Sequence, residues 1–345
     1  MQANHNLAIL RLTALWGLAE SGLGGWMHAL HLPLTGIFVG GAAVVIIALI
    51  AWYGKFSFRQ VMQATLLVML VKFAASPQSP PQAYVAVGFQ GLAGAILYRL
   101  ILNFTIASVL FGVIAMLESA VQKLIFMTLI YGRSLWEALD KFFEAIVKDF
   151  SLSASFSFSY WIISAYVGIY LLWGLLLGTW IARLPRKIDA HALGISDQFR
   201  EFQNTGGDQP PAKGKRHKNK VIPILLMLFF IAGVFLLQGR MGKAEYVILR
   251  TVAALLLIFG IINPLVRRAM QAWLDRSTSK HKESLQSVLD LQPELGSFIR
   301  PAYRMAALKH SGLKRYSAFL FILIAATLHP IHESSQDIHI HKPGS

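Results

Sequence analysis

The sequence contains no cysteine, few charged residues and still fewer acidic ones. Without cysteine the chain has no disulfide, no thiolate metal site and no cysteine nucleophile. Only 14% of its residues are charged, against about a quarter in typical soluble domains, whereas 55% are hydrophobic. A soluble core cannot absorb that much apolar surface, so the composition predicts an integral membrane protein.

The shortage of acidic residues leaves a net charge of +15. A basic excess beside membrane helices is what the positive-inside rule and contact with anionic lipid require. We therefore expect membrane lipid, and no nucleic acid, as a partner. The sequence shows no nucleotide-binding loop, zinc-protease helix or nucleophile elbow. We expect neither catalysis nor a bound metal or cofactor.

Long apolar stretches predict helices that cross a bilayer, because each spanning segment must satisfy its own backbone hydrogen bonds. In the first half they are 7–26, 34–53, 58–75, 82–101, 104–131 and 160–182, and later come 221–238 and 246–266. Residues 133–150 have the pattern of an amphipathic helix in the interface. The predicted fold class is an all-α integral membrane protein: a six-helix bundle, two or three further membrane helices and a cytoplasmic amphipathic helical segment.

The basic residues between the spans predict the orientation. They fall on one side of the predicted membrane, at Lys55, Arg59, Arg99, Arg183, Arg186 and Lys187. That side, with the N-terminus, is expected to be cytoplasmic, and the membrane to be a bacterial inner membrane.

Composition divides the chain into four segments. They are a membrane bundle at 1–186, a basic cytoplasmic linker at 187–220, further membrane helices with an amphipathic cytoplasmic segment at 221–328, and a His-rich tail at 329–345. Whether residues 316–328 cross the membrane stays open at this point. Extended spacing of the tail histidines would suit weak metal binding, but an unpatterned tail is the favoured interpretation.

Polar residues embedded in the apolar stretches are the candidate site. A charge in the hydrocarbon layer normally faces a bundle interior, pairs with an opposite charge or lines a site. The predicted topology places all of them in the outer half: Glu20, Lys72, Gln90, Glu118 and Gln122. Two interpretations carry equal weight, a site for a small polar molecule or an internal pair of Lys72 with Glu20 or Glu118. Lys123 is offset from Gln122 by about 100° and is expected to point elsewhere.

The chain resembles a known family over about residues 7–185. The resemblance lies in Leu18-Ala-Glu-Ser21, Leu32-Pro-Leu-Thr-Gly-Ile-Phe-Val-Gly-Gly41, Leu70-Val-Lys-Phe-Ala-Ala-Ser-Pro77, Val87-Gly-Phe-Gln-Gly-Leu-Ala-Gly-Ala95 and Gly112-Val-Ile-Ala-Met-Leu-Glu-Ser-Ala-Val-Gln122. These segments resemble the substrate-binding S components of energy-coupling-factor transporters, in the branch called heptaprenyl diphosphate synthase component I. The region from Lys187 onward has no counterpart in an ordinary S component.

The resemblance implies a six-helix bundle that captures a vitamin or related micronutrient from outside. It also implies a transmembrane coupling protein and a pair of cytoplasmic ATPases as partners. In the resulting hypothesis Lys72 and Glu118 set the ligand charge, and Glu20, Gln90 and Gln122 give hydrogen bonds. Three further residues close the rim: Trp26, His28 and His31. The alternatives are a membrane scaffold or assembly protein that recruits a partner through its basic C-terminal half, and a membrane enzyme of lipid or isoprenoid metabolism.

Overall fold

The computed structural model describes residues 2–23, 35–75, 79, 81–149, 157–204, 229, 241–276 and 279–340. Within those ranges the chain consists of helices joined by short turns, and no strand occurs there. The prediction of an all-α protein is therefore confirmed for this part of the chain.

The helices follow one another with few irregularities. Up to residue 204 they are α1 (Gln2–Leu18), α2 (Thr35–Tyr53), α3 (Phe58–Ala75), α4 (Pro81–Leu100), α5 (Phe104–Tyr131), α6 (Ser134–Asp149), α7 (Phe158–Ile181) and α8 (Leu184–Asn204). Beyond it come α9 (Met241–Leu255), α10 (Asn263–Arg276), α11 (Ser279–Lys309) and α12 (Leu313–Ile340). Two π-helical segments, Ala19–Leu23 and Leu256–Ile262, continue α1 and α9.

Six helical segments among the described residues are long and apolar enough to cross a membrane. They are Gly36–Tyr53, Phe58–Ala75, Pro81–Leu100, Phe104–Tyr131, Phe158–His191 and Glu245–Val266. They match six of the predicted spans and support an integral membrane protein. The first predicted span corresponds to α1 with its π segment, and the span predicted at 221–238 lies outside the described residues.

Local sequence explains where α5, a span of 28 residues, begins and ends. The Asn103 side chain accepts hydrogen bonds from the backbone N–H groups of Thr105 and Ile106, at 3.0 and 3.2 Å, and so caps the first turn. Gly132 ends the helix with a φ of 73°, a conformation that glycine adopts without a steric penalty. Gly132 also marks the end of the bundle at which α6 begins, called here the α6 end. It corresponds to the predicted outer face.

One hydrophobic core joins the two halves of the sequence. Its buried residues come from α1 to α5, α7 and α8 and also from α11 and α12. In particular, α11 packs along α1 and α3, and α12 packs against α1 and α8. Residues 267–315 were predicted to be an amphipathic helical segment in the cytoplasm. Within them α11 is a helix that packs on α1, and its Val288, Leu295 and Ala302 are buried in the core.

A buried arginine in α1 anchors this C-terminal hairpin. Arg11 is 4% exposed and donates hydrogen bonds to the backbone oxygen of Thr327, at 2.5 Å, and to Glu294 Oε1, at 2.6 Å. Loss of α11 and α12 would remove both acceptors from Arg11. The hairpin is therefore part of the bundle that contains α1.

The predicted linker at 187–220 differs from the structure in its first part. Residues up to Asn204 belong to α8, a helix whose apolar residues Ile188 and Phe199 are buried against the core. The ring of Phe199 meets that of Phe298 in α11 edge to face, at 5.4 Å between centroids. An amphipathic stretch with a surface to cover forms a helix even when its composition is polar. Residues 205–220 lie outside the described residues.

Candidate functional site

The first predicted polar pair lies between α1 and α3. Glu20 stands in the π-helical segment after α1, and Lys72 in the last turn of α3. Lys72 Nζ donates to Glu20 Oε2 at 2.6 Å, and their side chains are 8% and 6% exposed. The pairing that the sequence offered as one alternative is therefore formed. A cation and an anion in contact neutralise each other, so neither is left to hold a ligand of opposite charge.

A second polar group lies where α2, α4, α5 and α7 meet. Gln90, on α4, is 2% exposed, and its amide lies 3.5 Å from the hydroxyl of Ser119 on α5. At that distance the hydrogen bond is weak and can be exchanged for another partner. Ser119 also donates to the backbone oxygen of Ala115, at 3.1 Å.

Glycines on α2 make room for this group. A Cβ at Gly40 would lie 3.3 Å from both the Gln90 amide nitrogen and the Ser119 hydroxyl oxygen. A Cβ at Gly36 would lie 3.1 Å from the hydroxyl of Tyr170 on α7. The glycine face of α2 thus lets polar side chains from three other helices reach the interior of an apolar bundle.

A third group lies between α4 and α5 toward the α6 end. Gln122 donates to the backbone oxygen of Gln82 at 2.8 Å and so links the two helices. Glu118 precedes Gln122 by one turn and therefore shares its helix face. The buried atoms Glu118 Oε2 and Gln82 Oε1 have no hydrogen-bond partner among the residues that the structure describes.

The remaining predicted site residues divide into two cases. Lys123 is exposed, as its 100° offset from Gln122 predicts. The rim residues lie outside the described residues: Trp26, His28 and His31. The structure thus brings Glu20 together with Lys72 and places Gln90 beside Ser119. It links Gln122 to Gln82, with Glu118 on the same helix face.

The frame around these groups is tightly packed. A Cβ at Gly112 would lie 2.5 Å from the backbone oxygen of Gly174, and a Cβ at Gly174 would lie 2.6 Å from that of Gly112. One turn on, a Cβ at Gly178 would lie 2.5 Å from Val109 Cα. Small residues of this kind let membrane helices approach backbone to backbone. The site is therefore held by a close contact between α5 and α7.

Sequence reasoning missed Arg11, Gln82 and Ser119. Arg11 gives the same indication as Lys72, a charge inside an apolar stretch, and could have been found by it. Gln82 stands at the start of a span, where a polar residue needs no explanation. Ser119 carries no indication of its own, because serine commonly bonds to the preceding turn of its own helix.

In the described ranges no group of three His, Asp or Glu residues could hold a metal ion. The C-terminal histidines were considered at the extended spacing of a strand. The backbone of α12 is instead helical to Ile340, so alternate residues of that segment do not share one face.

The comparisons with known proteins leave the family open. No family model, curated protein or solved structure matches the chain. The function therefore has to be argued from the chain itself.

Proposed function

We propose that this chain is a membrane protein that binds a small polar micronutrient, a vitamin or vitamin precursor, from the α6 end for uptake. The observation that carries the proposal is the set of buried polar groups with unused hydrogen-bonding capacity in an otherwise apolar bundle. Gln90 makes only a 3.5 Å contact, and Glu118 and Gln82 each hold a buried oxygen without a donor in the described ranges. Buried polar groups are normally satisfied, and exceptions call for an explanation such as a missing ligand.

The Glu20–Lys72 pair changes the role proposed for Lys72. Lys72 is already paired with Glu20 at 2.6 Å. Glu118 is therefore the one charged candidate among the described residues that is left to set the charge of the ligand. The pair then fixes α1 against α3 beside the site. In this proposal Gln90, Ser119 and Gln122 give hydrogen bonds, and the rim residues Trp26, His28 and His31 close the entrance.

Uptake against a gradient requires an energy source. The chain has no nucleotide-binding loop. We therefore propose a transmembrane coupling protein and cytoplasmic ATPases as partners, in a bacterial inner membrane. ATP-dependent accumulation of the bound compound in cells that express the chain with its co-purifying ATPases would support this step. Equal accumulation without ATP would contradict it.

Native mass spectrometry of the purified full-length protein, followed by solvent extraction, tests binding. The wild-type protein is expected to carry a small polar molecule, and Gln90→Leu is expected to lose it while remaining folded. Gln63→Leu is the matched control, because Gln63 is an exposed glutamine on α3. A wild-type protein that carries nothing and binds none of the vitamins offered to it would refute the proposal.

The orientation is testable because the chain has no cysteine. Lys55 and Arg133 are exposed at opposite ends of the bundle, so each can be replaced by cysteine in turn. A membrane-impermeant thiol reagent applied to intact cells is expected to label Arg133→Cys and to spare Lys55→Cys. The reverse result would mean that the orientation is inverted and that the α6 end faces the cytoplasm.

A further inference from the structure

The α4–α5 contact holds two oxygen acceptors that lack a donor. Glu118 Oε2 and Gln82 Oε1 are both buried, and in the described part of the chain neither accepts a hydrogen bond. An acceptor enclosed without a donor is destabilising, more so when it belongs to a carboxylate. Two such acceptors on neighbouring helices are candidates for one shared ligand.

Gln122 brings the residue that holds one acceptor close to the turn of α5 that follows the other. Its amide donates to the backbone oxygen of Gln82 at 2.8 Å, which fixes Gln82 of α4 beside this turn of α5. Glu118 lies four residues earlier on α5, and residues so spaced have Cβ atoms about 5–6 Å apart. The Gln122 amide therefore donates to the Gln82 backbone, while Gln82 Oε1 and Glu118 Oε2 receive no hydrogen bond from the described residues.

Three donors on the described helices do not serve these acceptors. Lys72 pairs with Glu20, and Ser119 donates to Ala115. Lys123 is exposed, on a different face of α5. A carboxylate in the hydrocarbon layer of a membrane requires a partner of opposite charge or a proton.

We propose that the acceptors of Glu118 and Gln82 bind the ammonium group of the transported compound, an inference that rests on the proposed uptake function. An alkylammonium group supplies a positive charge together with several N–H donors. The Glu118 carboxylate pairs with the positive charge and accepts one N–H hydrogen bond, and the side-chain carbonyl of Gln82 accepts a second. The ligand is thus a cationic amine, because a neutral or anionic compound supplies no positive charge for the Glu118 carboxylate.

Protection of Glu118 from an apolar carbodiimide tests the inference. The full-length protein, purified in detergent, is treated with dicyclohexylcarbodiimide, and modification of Glu118 is followed by peptide mass spectrometry. Methylammonium is the probe, because it is the ammonium group with little else attached. So small a ligand binds with a Kd on the order of 10 mM at best. At about 50 mM, labelling should slow about sixfold.

Matched salts and variants make the result specific. Tetramethylammonium has the charge but no N–H donor, and at equal concentration it should protect little. Gln82→Leu should keep Glu118 reactive but lose most of the protection, whereas Gln63→Leu, on the exposed face of α3, should keep it. Equal protection by both organic cations, or by sodium, overturns the ammonium assignment. An unreactive Glu118 in the ligand-free protein overturns it too, since an open acceptor must be reachable.

The two proposals fail in different ways. If native mass spectrometry finds a neutral compound and methylammonium gives no protection, uptake stands and only the ammonium assignment falls. If the protein carries no compound but methylammonium protects Glu118, the cation site exists and the uptake function falls.

Discussion

Around α1, the buried charges Arg11 and Lys72 each contact a carboxylate at 2.6 Å. Between α4 and α5, on the other side of the bundle, the buried oxygens of Glu118 and Gln82 meet no donor in the described ranges. Both sides bury polar atoms in apolar surroundings, and on the α1 side the uncharged Trp16 Nε1 and Gln292 Nε2 also have no partner in those ranges. The difference lies in the charged groups, which are paired within the chain on the α1 side. The α1 side therefore has the character of a structural framework, and the α4–α5 side that of a site awaiting a partner.

Loose packing does not account for the unpaired side. The helix beside it, α5, meets α7 through glycines whose Cβ atoms would come within 2.6 Å of backbone on the other helix. Above the bundle, the Asp140 carboxylate of α6 accepts hydrogen bonds from Ser157 and Ser159, both at 2.7 Å. The helix that carries Glu118 is thus tightly packed against α7, which favours a binding role over a defect in folding.

The largest effect is expected from breaking the Glu20–Lys72 pair. Lys72→Met leaves Glu20 buried without a counter-charge and should lower the free energy of unfolding by about 3–5 kcal/mol. Glu20→Gln should do the same to Lys72. The double variant should recover most of the loss, because it leaves no unpaired charge. Unfolding of the purified protein in mixed micelles measures all three.

The same experiment separates the two interpretations of Lys72. If Lys72→Met loses a bound compound while its unfolding free energy matches the wild type, the pair is not a structural element and Lys72 belongs to the site. Glu118→Gln provides the contrast from the other side of the bundle. Because Glu118 Oε2 has no partner in the described part of the chain, Glu118→Gln should be as stable as the wild type or more stable.

The close approach of α5 and α7 should give the next largest effect. Gly174→Val directs a side chain at the backbone of Gly112, which cannot move aside, and should destabilise the protein by about 1–3 kcal/mol. Gly168→Val, on the same helix, meets nothing within 4 Å and serves as the control. Thermal unfolding of both variants distinguishes them, and equal melting temperatures would show that the contact is not a packing constraint.

These contrasts show what sequence alone can supply. Unbroken apolar stretches predicted α2 to α5 and α7, because few alternatives to a membrane helix exist for such stretches. Lys72 stood out for the same reason, as a charge in a place where charges are rare. Its pairing with Glu20 was one of two choices, and only the placement of α1 beside α3 decides between Glu20 and Glu118.

The C-terminal half could not be predicted to the same extent. The composition of α11 fits a helix on the membrane surface as well as one packed in a bundle, because both need one apolar face. Glu294 lies 283 residues from Arg11, and no local pattern links them. The unpaired acceptors are still harder to foresee, since they depend on which hydrogen bonds Gln122 makes across the α4–α5 contact.

Arg11 offers a smaller test of the paired side. Arg11→Met removes two hydrogen bonds, but Glu294 is 45% exposed and water can replace one of them. We expect a loss of about 1–2 kcal/mol in unfolding free energy. The unfolding free energy of Arg11→Lys should lie between those of the wild type and Arg11→Met, because an ammonium keeps the charge but not the planar set of donors that a guanidinium has. Limited proteolysis should show faster cleavage within α11 and α12 in Arg11→Met than in the wild type. An unchanged cleavage rate would mean that Arg11 does not hold the hairpin in place.

The smallest effect is expected at Asp140, which ties α6 to the start of α7. Partial burial raises the pKa of its carboxyl, but hydrogen bonds from the backbone of Ser159 and the hydroxyl of Ser157 outweigh that and hold the pKa below the usual 3.8. A carboxyl whose pKa is lowered by folding stabilises the protein above its unfolded pKa, and this stabilisation is lost as the pH falls through the folded pKa.

The melting temperature should therefore decline between about pH 5 and pH 3. Asp140→Asn should show a shallower decline over that range and a slightly lower melting temperature at neutral pH. Parallel curves for Asp140→Asn and the wild type would mean that the Asp140 link between α6 and α7 contributes nothing to the stability of the folded protein.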